Sequence, residues 1–167
     1  MESRLKVLGH PVHPMLVTLP VGLFVTAVIF DVIDVAGGPA ILGEVAYWNI
    51  SVGLIGGILA AGAGAVDLRA IPRNTRAKRI GVMHALVNTA MILLFAGVWV
   101  VRTAAYQRGA GGGLLAIEIV AVAGTGLAAW LGGELVDRLG VGVDREADLN
   151  APNSLSATRL GRAGDDR

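Results

Sequence analysis

Two histidines stand close together in GHPVHPMLVTLP, residues 9–20, each followed by proline, at the entrance to an apolar run. A third, His84, lies inside another apolar run, with Asn88 one helical turn further on. Neutral imidazole is the commonest metal ligand among side chains. Asp67, Glu134 and Asp137 flank other apolar runs and could add carboxylate ligands. The chemistry open to these residue types is therefore ligation. His10, His13, His84 and Asn88 are the candidate cofactor-binding residues, and His13, His84, Asp67 and Glu134 the candidate metal set.

Other chemistries are poorly served. The chain has no cysteine, which removes disulfides, thiolate ligands and cysteine nucleophiles. It has no HExxH and no P-loop. Ser51 sits within an apolar run at a depth remote from any histidine, so a Ser–His–Asp arrangement is not indicated. An enzyme is accordingly not the favoured expectation.

Elements must position these groups, and composition says which. Hydrophobic residues make up 54% of the 167 and charged ones 16%, against roughly 25% charged in an ordinary soluble domain. A membrane-spanning helix needs about 20 mostly apolar residues. Residues 14–36, 45–66, 80–101 and 114–136 meet that need, and 45–66 carries no formal charge. The first run is followed by polar FDVID rather than a small-residue cleavage site, so it reads as a span, not a signal peptide. The expectation is an all-α, four-helix transmembrane bundle with short loops, residues 1–143, followed by a disordered tail, 144–167. The lipid bilayer is then its main partner. With a net charge of +1 and no basic domain, nucleic acid is not a partner.

Lysine and arginine in short flanking segments orient such a bundle. Arg4 and Lys6 precede the first span, and Arg69, Arg73, Arg76, Lys78 and Arg79 join the second and third. Arg138, Arg145, Arg159, Arg162 and Arg167 follow the fourth, whereas GGPAILG at 37–43 has none and Arg102 and Arg108 follow the third. Both termini are expected in the cytoplasm, in the inner (plasma) membrane. All three histidines then fall at the cytoplasmic end, with Asp67, Glu134 and Asp137. His84 lies roughly 6 Å inward from Ile80 at 1.5 Å per residue. A lesser polar set, Asp31, Asp34, Glu44, Asn49 and Glu118, collects at the other end.

The residue before proline is driven toward extended conformation. HPVH therefore reads as an extended lead-in, with Pro14 as the first residue of helix one and His10 and His13 roughly 9 Å apart on one side. Pro20 falls inside the helix and takes a bond from the Leu16 carbonyl, which Thr18 or a neighbouring helix could satisfy. Gly53, Gly57, Ala61 and Ala65 form one row of small residues in span two, and Gly56, Ala60 and Gly64 a second. Gly124, Ala128 and Gly132 form a third, in span four. Such rows let helices approach closely, so span two should touch two neighbours. The same rows could serve a homo-oligomer.

The stretches LGHPVHPMLVTLPVGLFVTAVIFDVI, DLRAIPRNTRAKRIGVMHALVN and WLGGELVDRLGVGV together resemble the bacterial family called domain of unknown function 2231. The resemblance runs from Arg4 to Val143. It implies a four-span membrane protein and no established activity. Its motif positions fall here on His10, Pro11, His13, Pro14, Pro20, Asp31, Asp67, His84, Asn88, Gly132 and Gly133. The closing pattern of the family often has a histidine where this chain has Leu139, so a site of three or four histidines is not implied.

Three readings compete for the polar cluster. His84 and Asn88 could hydrogen-bond across helices while the carboxylates pair with Arg69, Arg79 or Arg138. The cluster could instead bind haem b or a divalent metal for electron transfer. Or the two polar sets could serve a small proton- or solute-conducting protein, or a structural subunit of a larger membrane complex.

Overall fold

The computed structural model describes residues 1–155. Residues 156–167, part of the tail expected to be disordered, lie outside them. Two short strands, β1 (Lys6–Val7) and β2 (His10–Pro11), form an antiparallel hairpin ahead of four helices. The helices are α1 (Val12–Val35), α2 (Ile41–Ala70), α3 (Arg76–Arg102) and α4 (Gly111–Gly133). A π-helical turn, Glu134–Arg138, prolongs α4. The four helical segments are long and apolar enough to cross a membrane. Helices α2 and α3 overrun the expected spans at both ends, because Glu44, Asp67 and Arg79 are acceptable helical residues where the chain leaves the hydrocarbon, while α1 and α4 start two and three residues early.

Local chemistry sets the ends. After α1, Gly37 adopts φ +92°, and Gly37 and Gly38 donate to the Asp34 and Ile33 carbonyls at 3.0 and 2.9 Å. A glycine just past a helix end commonly closes it this way. Ile71 precedes Pro72 and is extended, which stops α2. The Thr75 hydroxyl accepts from the Lys78 amide at 3.0 Å and starts α3, a cap commonly contributing about 1 kcal/mol.

The lead-in differs from expectation. Leu8 and Gly9 turn the chain at φ +51° and +86°, and His10 and Pro11 pair back with Val7 and Lys6. Helix one therefore starts at Val12, not Pro14. Pro14 is its third residue, where the amide has no intrahelical partner to lose. His10 and His13 thus belong to different elements and do not point the same way. Within α1, Thr18 bonds the Met15 carbonyl at 2.8 Å, not that of Leu16.

The N-terminus, the end of α4 and the α2–α3 connection gather at one end, here the terminal end; the other two helix connections form the distal end. In the core the Phe24 and Phe95 rings stack 4.0 Å apart at 9°. Gly53 lets Phe24 settle against α2: a Cβ there would come within 2.6 Å of its ring. Gly56 lies under Leu19 and Pro20 of α1, while Gly57 lies under Ile92 of α3, so α2 does touch two neighbours. Outward faces carry exposed leucine and isoleucine, such as Ile58, Leu86, Leu93 and Leu127, as lipid contact requires.

Candidate functional site

A cavity of about 600 Å³ opens in the terminal half of the bundle, lined by all four helices. Its walls are mostly apolar, with His13, His84 and Asn88 as convergent polar groups, a composition suited to binding. The ring centroids of His13 and His84 stand 6.1 Å apart, with planes at 83°. Topology has brought together two histidines far apart in sequence, as the depth argument expected.

Each ring is seated in the same manner. His13 Nδ1 lies 2.8 Å from the Ala60 carbonyl, and His84 Nδ1 lies 2.9 Å from the Ala128 carbonyl. A carbonyl only accepts, so Nδ1 carries the hydrogen in both rings, and in a neutral ring Nε2 is then the nitrogen with the lone pair. One turn beyond each carbonyl stands a glycine. A Cβ at Gly64 would lie 3.0 Å from His13, and one at Gly132 would lie 3.3 Å from His84. The small-residue rows are thus also the seats of the imidazoles.

This likeness extends through the bundle. His13, Phe24 and Asp31 of α1 recur as His84, Phe95 and Arg102 of α3, at a constant offset of 71. Gly56, Ala60 and Gly64 of α2 recur at equal spacing as Gly124, Ala128 and Gly132 of α4. Each member of the first trio meets its counterpart: imidazole beside imidazole, phenyl on phenyl, carboxylate on guanidinium. The α1–α2 and α3–α4 hairpins thus share this spacing of ring, ring and charged residue against a row of small residues.

The other expected site residues fall elsewhere. His10 is exposed on the β-hairpin, with Nε2 3.5 Å from Ser154 Oγ, and does not line the cavity. Asp67 lies at the cavity rim but accepts from Ser3 Oγ at 2.8 and 2.9 Å and from the Arg4 amide at 2.7 Å. Glu134 pairs with Arg76, not with Arg69, Arg79 or Arg138. The expected metal set is therefore not brought together. Among the described residues, no three His, Asp or Glu side chains converge as a metal site would need. Asn88 donates to the His84 carbonyl at 2.9 Å and faces His84 Nε2 at 3.2 Å.

A strap closes the terminal end. The Met1 ammonium donates to the Gly140 carbonyl at 2.6 Å, and the Gly142 amide to the Met1 carbonyl at 2.7 Å. Lys6 bridges Glu2 at 2.7 Å and Asp144 at 3.7 Å. Its hydrogen bond holds the Glu2 carboxyl below the usual carboxylate range. Asp67 anchors this strap to α2, which is its evident structural task.

Sequence reasoning missed Arg102. Its guanidinium is fully buried at the distal end. Nη1 and Nη2 fork onto Asp31 at 2.7 and 2.8 Å, and Nη1 also reaches Glu118 at 2.7 Å. Nη2 donates to the Gly43 carbonyl at 2.8 Å and Nε to that of Arg108 at 2.7 Å. One side chain of α3 thus ties α1, α2, α4 and the α3–α4 connection. Glu44 and Asn49 are not among its partners. The usable signal was the offset that matches Asp31 to Arg102.

Fold and site define a four-helix membrane bundle built from paired hairpins around a histidine-walled cavity. The chain belongs to the family described as predicted membrane protein (DUF2231), whose model matches residues 9–145. No curated protein and no solved structure matches it.

Proposed function

We propose that this protein holds haem b between His13 and His84 and uses it for one-electron transfer. The observation that carries the reading is the pair of rings, each with Nδ1 on a backbone carbonyl, facing one cavity 6.1 Å apart. Ligating histidines are typically fixed through the second nitrogen in this way, which sets the tautomer and leaves Nε2 as donor. With metal–imidazole bonds of about 2.0–2.1 Å, two rings on one metal stand roughly 6 Å apart between centroids. Rotation about those bonds leaves the angle between the rings free.

Haem is favoured over a bare divalent metal on donor count. A closed protein site for zinc takes four ligands. Here two imidazoles converge, while Asp67 and Glu134 are engaged with Ser3, Arg4 and Arg76. A porphyrin brings four nitrogens of its own, so two imidazoles suffice. Ligation of His84 requires Asn88 to give up its 3.2 Å contact with Nε2, and its bond to the His84 carbonyl remains.

The test is an absorption spectrum of the full chain, purified in detergent from cells supplied with haem precursors, oxidised and then reduced. A Soret band that shifts on reduction, with haem near one per chain, is expected. A colourless protein would overturn the reading. Stoichiometric divalent metal without haem would replace it with a metal site.

We infer further that the terminal end faces the cytoplasm, because arginine and lysine crowd it. A reporter fused after Arg167 is expected to report the cytoplasm, and a periplasmic signal would reverse the map.

A further inference from the structure

The distal cluster has an unbalanced charge count. One guanidinium, Arg102, faces two carboxyls, Asp31 and Glu118, and all three side chains are fully buried. Two ionised carboxylates there would leave one uncompensated negative charge inside the bundle, where low dielectric makes it costly. Asp31 has the stronger claim on the cation, since both its oxygens accept from the fork. Glu118 holds Arg102 by Oε1 alone. Its Oε2 is, among the described residues, a buried side-chain oxygen with no hydrogen-bond partner.

Asp31 Oδ2 and Glu118 Oε1 both accept from the same nitrogen, Arg102 Nη1, at 2.7 Å each, which holds the two carboxyls side by side. Two carboxylates are both acceptors and cannot bond to each other; a single proton between them turns repulsion into a hydrogen bond. Among the described residues, Arg102 is the cation paired with these two carboxyls, and the Arg108 guanidinium stacks over Tyr47 and Trp48 instead. From α1 comes a further carboxyl, half-buried Asp34, one turn beyond Asp31. From α2 come the Gly43 carbonyl and Tyr47, whose ring stacks on Trp99 and lies under the Arg108 guanidinium. From the α3–α4 connection comes the Arg108 carbonyl, which already accepts from Arg102.

We propose that Asp31 and Glu118 share one proton, making the distal cluster a proton-binding site in which Arg102 and Asp31 form the one ion pair and Glu118 is neutral. The site is independent of the haem reading, since it rests on other residues. Its proton can be lost only by charging the bundle interior. That is the chemistry of a proton carried within a membrane protein rather than of a static ion pair.

Infrared spectroscopy of the detergent-purified full chain tests this. At neutral pH the exposed carboxyls are ionised, so a carbonyl stretch of a protonated carboxyl that shifts in D2O reports the buried proton. The band is expected in the wild type, lost in Glu118→Gln and kept in Asp34→Asn. Glu118→Gln mimics the neutral acid and is expected to fold with a melting temperature close to wild type. Absence of the band from the wild-type protein at neutral pH would overturn the proposal, and needs no variant. Its persistence in Glu118→Gln, or its loss in Asp34→Asn, would place the proton elsewhere and overturn it too.

Discussion

Arg102→Met will destabilise the folded protein by about 3–5 kcal/mol, the loss expected when one partner of a buried ion pair is removed and the other stays. An arginine has five N–H donors, and all are engaged: two on Asp31, one on Glu118, and one each on the Gly43 and Arg108 carbonyls. Methionine fills a similar length but returns none of these bonds. Asp31 is then left buried with no cation, and two backbone carbonyls lose their donor. Arg102→Lys should recover little, because one ammonium cannot reproduce the fork onto Asp31 while reaching two carbonyls. The triple variant Asp31→Leu, Arg102→Met, Glu118→Leu should regain most of the loss, since apolar replacement of a whole buried ionic group is often tolerated. Unfolding of the detergent-solubilised variants by denaturant measures all three. Wild-type stability in Arg102→Met would show that the cluster does not hold the distal end together.

Arg102 also shows where sequence reading stops. The spans were legible because runs such as 45–66 admit no alternative to a membrane helix. The meeting of His13 with His84 was legible because alternating helices place both at one end. Arg102 was counted instead as a flanking charge, because it ends a charge-free run and resembles a loop residue. Its burial depends on carboxyls from α1 and α4, and that register is a tertiary fact. Removing it from the tally of loop charges leaves Arg108 as the distal cation of its segment and sharpens the asymmetry used for orientation. His10 failed for the opposite reason. Proline rules gave it an extended conformation, correctly, but the turn at Leu8 and Gly9 sends it onto a hairpin and away from the cavity. In the sequence the glycine rows speak only of packing. Packing does not distinguish a glycine beneath a leucine, such as Gly56, from a glycine beneath an imidazole, such as Gly64.

That distinction supplies the second large effect. His13→Ala and His84→Ala should each abolish the reduced-minus-oxidised signal while leaving the distal cluster, and hence the fold, in place. Loss through unfolding would appear as lost helical circular dichroism at the assay temperature, whereas loss of haem alone lowers only the melting temperature; imidazole added to His84→Gly should restore part of the signal. The sharper case is a substitution that keeps both histidines. A Cβ at Gly64 meets His13 Cε1 and Nδ1 at 3.0 Å, so Gly64→Ala must displace the ring that donates to the Ala60 carbonyl. Disturbing such an outer partner commonly costs about 10- to 100-fold in affinity, and haem titration into the stripped protein should show a loss of that order. Gly132→Ala should do less, since its Cβ meets His84 at 3.3 Å and an ordinary adjustment accommodates it. Gly62→Ala, with nothing near its Cβ, should do nothing. Equal binding by Gly64→Ala and wild type would mean that the seat of His13 does not set its ligand chemistry, and the two carbonyl bonds would then be helix-to-helix ties and no more.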